Sequence, residues 1–530
     1  MIASLLRPQA YDHPVRHVQL LETHLSWILL TGTWAYKIRK PVNLGFVDLT
    51  SADARRHCAL EELRLNRRLC PDLYVGLREI HGPPERASLH PPAQPGLGPA
   101  AIEVAVQMLQ FQQQDLLPAR LLDRRPDPAL WLDLADRLAA FHGKAAVAGP
   151  EDPWAEPSRV LEPALANLAV LAGLNPPPAE LEALAGWTRA EHSRLEPLLR
   201  QRKATGRIRE GHGDLHLGNL VVRHGRIDAF DCLEFCPALR WIDVISDLAF
   251  LVMDLQRHGE ATTGTAVLNR WLQASGDYGG LLLWRWLVVY RALVRAKVSA
   301  LRQLQQRQAG EDPALHAQAM EDYLALAQQT SRLGPGPLVI THGVSGTGKS
   351  WLSDRLCRRL GWIHLRSDVE RLRLFGRWGA PPPGGILQGD PYGQEITERL
   401  YGQVIPDAAA AAISAGFGVI VDATFLRHGQ RSKLKQLASA WGCRFLILDL
   451  QGQACRAPER IRSRLERGGD PSEADLAVLD RQVQHQQPLT ASERADALVV
   501  APTKEPIHER CVDGLAGELG SRLASGPLSG

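Results

Sequence analysis

The sequence has no Cys-x-x-Cys pair. Its eight cysteines, at 58, 70, 232, 236, 357, 443, 455 and 511, form no Cys/His grouping with zinc-finger spacing. That excludes a zinc ribbon or finger and points to reduced thiols in a cytoplasmic protein. An excess of one charge is also missing: 61 Lys and Arg against 58 Asp and Glu leave +3. A basic coat built for duplex DNA is therefore excluded as the dominant feature, although a local basic groove is not. No apolar run has the length of a membrane span. The most apolar helical stretch, residues 281–294, is cut by Arg285 and Arg291 and reads as a buried helix. The opening MIASLLRPQAYDHP carries too short an apolar run for a signal peptide. No internal repeat is visible, and a cytoplasmic location is the expectation.

What is present is ordinary for a globular protein: 45% apolar and 22% charged residues over 530 positions. That length suggests roughly three folding units of about 150 residues each. It suffices for a large core without disulfide or metal staples. Residues 17–31 read as two β runs with a polar break at 23–26, and 33–39 as a third strand. A helix capped by Ser51 follows over 51–69, then strands at 74–80 and 102–109 around a Pro/Gly-rich loop at 82–100. Residues 129–142, 159–172, 178–200, 240–257, 263–275, 281–305 and 313–333 carry helical periodicity. A short irregular section, 208–235, interrupts them. The Gly/Pro segment at 331–338 breaks the last helix. Beyond it, short apolar runs at 338–341, 419–421, 445–448 and 497–500 alternate with helices, the pattern of a parallel sheet with crossover helices.

The motif Gly343, Val344, Ser345, Gly346, Thr347, Gly348, Lys349, Ser350 matches G-x-x-x-x-G-K-[ST] at every fixed position, after a strand and before a helix. In such a loop, backbone N–H groups turn inward on phosphate oxygens, Lys349 neutralises the β/γ charge and Ser350 offers its hydroxyl to Mg²⁺. Asp422 ends the apolar run GVIVD, as a strand-tip carboxylate near the magnesium or as a helix cap. Asp368 heads a helix in RSDVER, as the acceptor of a hydroxyl proton or as an N-cap. Arg460, Arg464 and Arg467 recur at helical spacing, as a lid over the transferring phosphate or as a solvated face. With GVSGTGKS, RSDVER, VIVDATF and the Arg-rich segment before DPSEAD, residues 337–510 resemble the P-loop kinases that include polynucleotide kinase, zeta-toxin-type kinases and gluconate kinase. The resemblance implies Asp368 as base, Lys349 and Arg464 as further catalytic groups, Arg460 on the nucleotide, and Ser350 with Asp422 at the metal.

The second motif is His212-Gly-Asp214-Leu-His216-Leu-Gly-Asn219, followed by a turn and an apolar run ending in Asp231. Asp214 is placed to orient or deprotonate a hydroxyl, and Asn219 and Asp231 offer oxygens to Mg²⁺. Zinc fits His212 and His216 poorly, because an i,i+4 pair needs a helix and no third ligand is near. HGDLHLGN…AFD resembles the aminoglycoside phosphotransferase and choline kinase family, whose fold is that of protein kinases. The resemblance implies Asp214 as base, Asn219 and Asp231 as magnesium ligands, Asp247 as a structural anchor, and Lys37 on ATP phosphates with Glu62 as its partner. Lys40 rivals Lys37, and Glu61 rivals Glu62. The nucleotide loop falls at 23–26 and includes Ser26, the hinge near 108–111. Asp228 is taken as a turn residue. Arg285, Arg291, Arg295 and Lys297 read as recognition of an anionic or neutral acceptor, or, preferably, as partners of Asp243, Asp247 and Asp254.

The expected architecture is thus an α+β protein-kinase-like domain followed by an α/β P-loop domain with a parallel sheet. Its divisions are an N-lobe (1–112), a mostly helical C-lobe (113–333), a P-loop kinase domain (334–522) and a flexible tail (523–530). The expected activity is ATP- and Mg²⁺-dependent phosphoryl transfer by two nucleotide-binding modules to hydroxyls of small sugar- or aminoglycoside-like molecules. A polynucleotide 5′-hydroxyl kinase or RNA-processing protein, and a nucleotide-gated switch, are the alternatives. A nucleic-acid partner is not favoured, and a membrane is not expected.

Overall fold

The computed structural model describes residues 1–43, 45, 47–92, 101–381, 385–467, 470–500 and 509–525, with backbone only at 452, 509, 510, 524 and 525. Part of the 82–100 loop, two lid glycines (468 and 469) and 526–530 of the expected tail lie outside the described residues. Among those described, no helix is long and apolar enough to cross a membrane. The chain forms two compact units. The first comprises Met1–Arg137, Lys144–Glu156 and Arg200–Asp247, the second Leu138–Gly143, Pro157–Leu199 and Leu248–Gly530. By contact, the helical segments 157–199 and 248–333 therefore group with the P-loop sheet.

The first unit is built on a six-stranded antiparallel sheet: β1 (Gln19–Glu22), β2 (Ser26–Leu30), β3 (Trp34–Arg39), β4 (Tyr74–His81), β5 (Ser88–His90) and β6 (Glu103–Leu109), in the order β1-β2-β3-β6-β4-β5. The period-2 alternation of β3 decides its role. Tyr36 and Ile38 pack into one core with Leu29 and Ile80, while Ala35 packs on the other face with Leu63, Tyr74 and Val106. Lys37 and Arg39 share the Ala35 face, the one covered by α1 (Ala52–Asn66). Ser51 caps α1, accepting from the Ala54 N–H at 3.2 Å.

The section 208–235 is more regular than its sequence suggests. β7 (Ile208–Glu210) pairs with β10 (Trp241–Asp243), and β8 (Leu220–Arg223) forms a hairpin with β9 (Arg226–Ala229). The hairpin turns on His224 and Gly225, both at positive φ (49° and 74°), the geometry that matches strand twist. Asp228 is accordingly a buried β9 residue, ion-paired with Arg226 at 2.8 Å and Arg223 at 3.4 Å, and not a turn residue. The helix expected from 240 begins only at Ile245, because 241–243 is claimed by β7. Asp243 pairs with Arg202 at 2.5 Å, Asp247 accepts backbone N–H groups, and Asp254 accepts from the Tyr323 hydroxyl.

In the second unit, α2 (Pro157–Ala172), α3 (Ala261–Ser275), α4 (Trp284–Ala309) and α5 (Ala314–Ser331) form the helical part. The mid-length apolar run is the buried helix expected. Arg291 lies in it with its guanidinium 4.8 Å from the Phe250 ring centre. The P-loop sheet is wholly parallel: β11 (Leu338–His342), β12 (Ile363–Arg366), β13 (Val419–Asp422), β14 (Phe445–Asp449) and β15 (Ala497–Val499), in the order β12-β13-β11-β14-β15. Burial on both faces explains their unbroken apolar runs. Around the sheet run α6 (Lys349–Leu360), α7 (Ser367–Leu374), α8 (Ile405–Ser414), α9 (His428–Ala440), α10 (Ala457–Arg467), α11 (Leu476–His485) and α12 (Glu509–Ser525). Leu352, Leu356, Ile420, Leu448, Val512 and Leu519 share one core.

Helix α3 is bonded into the P-loop part of its unit. Asn269 donates to the Trp362 carbonyl and accepts from the His364 N–H, both at 2.8 Å. Arg373 of α7 donates to the carbonyl of Gln273 at 2.5 Å and of Ala274 at 3.4 Å. Those carbonyls end α3, where a guanidinium satisfies groups the helix leaves open.

Candidate active sites

In the first unit, the alternation of β3 and the i,i+4 spacing of Glu62 and Asn66 on α1 bring distant residues together. The Lys37 ammonium lies 2.7 Å from Glu62 Oε1 and 2.5 Å from Asp231 Oδ1. Arg39, which the sequence reading passed over, bridges Glu62 and Glu234 at 2.5 Å each and donates to the Ser26 hydroxyl at 3.0 Å. The rivals are occupied elsewhere: Lys40 pairs with Glu22 at 2.5 Å, and Glu61 with Arg64 and Arg240. Ser26 thus joins the polar cluster through its side chain. Segment 23–26 is a tight hairpin turn closed by Thr23 N–H on the Ser26 carbonyl at 2.9 Å.

The HGDLHLGN segment wraps around Asp247, which accepts from the His212 and Gly213 N–H groups at 2.8 and 3.0 Å. His212 Nε2 bonds the Phe230 carbonyl at 3.0 Å, and burial lowers the imidazole's pKa. It therefore braces the loop in neutral form. Asn219 Nδ2 donates to the carbonyl and Oδ2 of Asp214 at 2.9 and 3.0 Å. Asp231 holds φ at +61°, a left-handed conformation unusual for a non-glycine, and its N–H reaches the Tyr74 hydroxyl at 3.2 Å. Burial tends to raise the Asp231 pKa, but the charge and hydrogen bond of Lys37 outweigh it and keep the group ionised. Asp214, Asn219, Asp231, Lys37 and Glu62 are thereby gathered in one place, with carboxylate and amide oxygens of the kind a divalent cation takes.

In the second unit, the carboxyl ends of β11, β12 and β13 meet where the strand order reverses, the usual ligand crevice of such sheets. The 343–350 loop follows β11, α7 with Asp368 follows β12, and Asp422 ends β13. Gly346 holds φ at +81°, and a Cβ there would stand 2.6 Å from the Ala457 carbonyl oxygen, so only glycine fits. The loop is braced from α11, which sequence spacing gave no reason to expect. Gln482 Oε1 accepts from the Ser345 N–H at 2.7 Å.

A cavity of about 430 Å³ opens here. Of the sequence-predicted residues, it is lined by Ser345, Gly346, Gly348, Lys349, Ser350, Asp368, Asp422, Arg460 and Arg464. Gly343, Val344 and Thr347 form the loop's inner wall: Val344 and Thr347 are wholly buried, and Val344's carbonyl accepts from Lys349 Nζ at 2.7 Å. Burial depresses the Lys349 ammonium to about 8. Burial also works against the Asp422 carboxylate, but hydrogen bonds from His364 (3.3 Å) and Ser350 and the charge of Arg366 (3.6 Å) prevail and hold it at about 2. A carboxylate ionised at neutral pH and bonded to the Ser350 hydroxyl is a donor pair that fits Mg²⁺. Arg460 NH1 donates to the Thr347 carbonyl at 3.0 Å, and Arg464 to that of Ala474. Arg371 and Tyr392, which the motif reading missed, line the same cavity.

Residues 338–489 match the AAA domain family model. An uncharacterized protein of Mycobacterium tuberculosis (strain H37Rv) is 28% identical over 436 residues, covering 81% of this chain and 83% of the relative. A Mycobacterium bovis protein gives the same figures. Among solved structures, the GDP complex of aminoglycoside 2′-phosphotransferase-IIIa is 14% identical, with 60% of this chain and 94% of that one covered and a TM-score of 0.36. A gluconokinase from Sinorhizobium meliloti 1021 is 20% identical, with 36% and 99% covered and a TM-score of 0.25. By sheet order and motif, the chain joins an α+β unit on a six-stranded antiparallel sheet, which carries HGDLHLGN, to an α/β P-loop fold with a five-stranded parallel sheet.

Proposed function

We propose that the chain is an ATP-dependent phosphotransferase with two nucleotide-binding modules, each acting on a hydroxyl of a small molecule. The observation that carries the reading is the P-loop cavity, where Lys349, Ser350, Asp422, Asp368, Arg460 and Arg464 line one space. The roles follow from charge and position. Loop N–H groups and Lys349 hold the nucleotide phosphates, and Arg460 and Arg464 balance charge on the transferring group. Asp368 takes the acceptor hydroxyl's proton while that oxygen forms its bond to the γ-phosphorus. The bond from phosphorus to the ADP oxygen breaks, and ADP leaves with the electron pair. Ser350 and Asp422 would hold Mg²⁺, which would supply neutralisation of the phosphate oxygens. In the first unit, Lys37 serves the phosphates, Asp214 the acceptor proton, and Asn219 with Asp231 the metal.

The test is transfer from labelled ATP to a panel of sugars, aminoglycosides, nucleosides and 5′-hydroxyl oligonucleotides, with Asp214→Ala, Lys349→Ala and Asp368→Ala beside the wild type. Transfer that disappears in Asp214→Ala alone belongs to the first unit. Loss in Lys349→Ala and Asp368→Ala assigns it to the P-loop. Nucleotide binding by the wild type without transfer to any acceptor would replace this reading with a nucleotide-gated switch.

A further inference from the structure

Side chains, rather than a strand ladder, secure the backbone that carries Asp231. Asp231 sits at φ +61°, a conformation that costs a non-glycine residue energy and persists only where its surroundings fix it. Three elements supply the fixing groups. His212 bonds the Phe230 carbonyl at 3.0 Å, the Tyr74 hydroxyl accepts from the Asp231 N–H at 3.2 Å, and Asn66 Oδ1 accepts from the Cys232 N–H at 2.8 Å. Tyr74 and Asn66 are both buried. The β4–β6 ladder shifts register between Tyr74 and Gly76, an irregularity of the kind that re-aims a side chain. Asn66 Nδ2 donates to the Glu62 carbonyl at 2.8 Å, so its amide has one orientation. Turned over, it would set donor against donor and acceptor against acceptor.

These bonds close a circuit. Glu62 and Asn66 stand four residues apart on one face of α1. Glu62 holds the Lys37 ammonium, Asn66 holds the peptide that follows Asp231, and Lys37 and Asp231 meet directly. One helix face therefore sets where the ammonium and the carboxylate stand relative to each other. A residue without an acceptor at position 66 would leave the Cys232 N–H unpaired in a dry setting, and the peptide would be free to turn toward another partner. We infer that Asn66 is a positioning residue for the metal site of the first unit: through the Cys232 N–H, and with Tyr74 on the neighbouring N–H, it fixes the backbone from which the Asp231 carboxylate is presented. The inference rests on the phosphotransferase reading of that unit. It adds to it two residues that lie outside HGDLHLGN…AFD and act through Asp231.

The test is calorimetric titration of the full chain with a non-hydrolysable ATP analogue over a Mg²⁺ series, in a Lys349→Met background where the binding read belongs to the first unit. Asn66→Leu, of similar shape, removes the acceptor, and Asn66→Asp keeps one. Tyr74→Phe removes the neighbouring acceptor and keeps the ring. Asn66→Leu is expected to need at least tenfold more Mg²⁺ for half-maximal tightening of the analogue, with Mg²⁺-free affinity within about threefold of the background. Asn66→Asp should recover part of that shift, and Tyr74→Phe should show at least a threefold shift of its own. In Asp231→Asn, which lacks the presented carboxylate, Asn66→Leu should add no further change. An unchanged Mg²⁺ requirement in Asn66→Leu, affinity lost equally with and without Mg²⁺, or a shift that persists in Asp231→Asn overturns the inference and leaves the phosphotransferase reading in place. If the melting curve shows Asn66→Leu to be unfolded, Tyr74→Phe decides: an unshifted Mg²⁺ requirement there overturns the inference. A background chain that does not bind the analogue, or binds it indifferently to Mg²⁺, overturns both.

Discussion

The Lys37 ammonium and the Asp231 carboxylate meet at 2.5 Å although 194 residues separate them in sequence. Glu62, fully buried, shares that ammonium at 2.7 Å. Removing the ammonium leaves buried Glu62 to Arg39 alone and takes the ion-pair partner from half-exposed Asp231, at a cost of about 3 kcal/mol. Lys37→Met should therefore lower the stability of the first unit by about that amount in urea denaturation. ATP binding by this unit should vanish while that of the P-loop persists, so calorimetric stoichiometry falls from two to one. An unchanged stoichiometry would remove Lys37 from the nucleotide site.

Lys349 carries the opposite sign. The folded chain releases its proton near pH 8, whereas an unfolded lysine keeps its own to about 10.5. The unfolded state therefore holds more protons between these values, and stability rises as pH climbs through them. Below pH 8 the buried ammonium costs about 3 kcal/mol. Lys349→Met removes that cost and loses one hydrogen bond worth about 1 kcal/mol, leaving a gain of about 2 kcal/mol at pH 7. The same variant should lose nucleotide affinity, and wild-type affinity should decline above about pH 8. Denaturation melts with and without nucleotide read both effects.

Asp422 works the other way round. Its folded value of about 2 lies below the ordinary 3.8, so the carboxylate contributes about 2 kcal/mol that is present above pH 4 and is lost as pH falls through 2. Asp422→Asn should be less stable than wild type by about that amount at pH 7, with the gap closing toward pH 2. Nucleotide binding at the P-loop should no longer respond to Mg²⁺, so in the double variant Lys37→Met/Asp422→Asn the residual binding should be independent of Mg²⁺. A Mg²⁺ response retained in that double variant would place the P-loop cation elsewhere.

Gly346→Ala combines a positive φ with a Cβ contact at 2.6 Å to backbone. Each alone costs about 1 kcal/mol or more. A lowered melting temperature and at least tenfold weaker nucleotide binding are expected, while Gly402→Ala, whose Cβ would meet only the end of the Lys433 side chain at 3.7 Å, serves as the silent control.

The P-loop was legible because its requirements are contiguous: glycines for the turn, then Lys349 and Ser350, between a strand and a helix. HGDLHLGN was legible for the same reason. Arg39 was not, since its task arises only when β3 faces α1 and Glu234 arrives from far along the chain. Gln482 bonds the loop across 137 residues, and no local pattern announces that. Asp228 was misjudged because RHGR reads as an isolated turn, whereas two positive-φ residues make it the tip of a hairpin that buries the aspartate. Arg371 was hidden in an Arg-rich helix whose members differ only in what surrounds them.

The bonds from Arg373 to the final carbonyls of α3 mean that the helix bearing Asp368 is seated partly on residues encoded before the Gly/Pro segment at 331–338. Scissors applied at that segment would free a fragment deprived of its own footing. Asn269 and the carbonyls of Gln273 and Ala274 are common property of both halves of the gene product. Genetic dissection of the two chemistries must therefore proceed by single substitutions, and a homologue that donates only its C-terminal portion to a chimera will need to bring 261–275 with it.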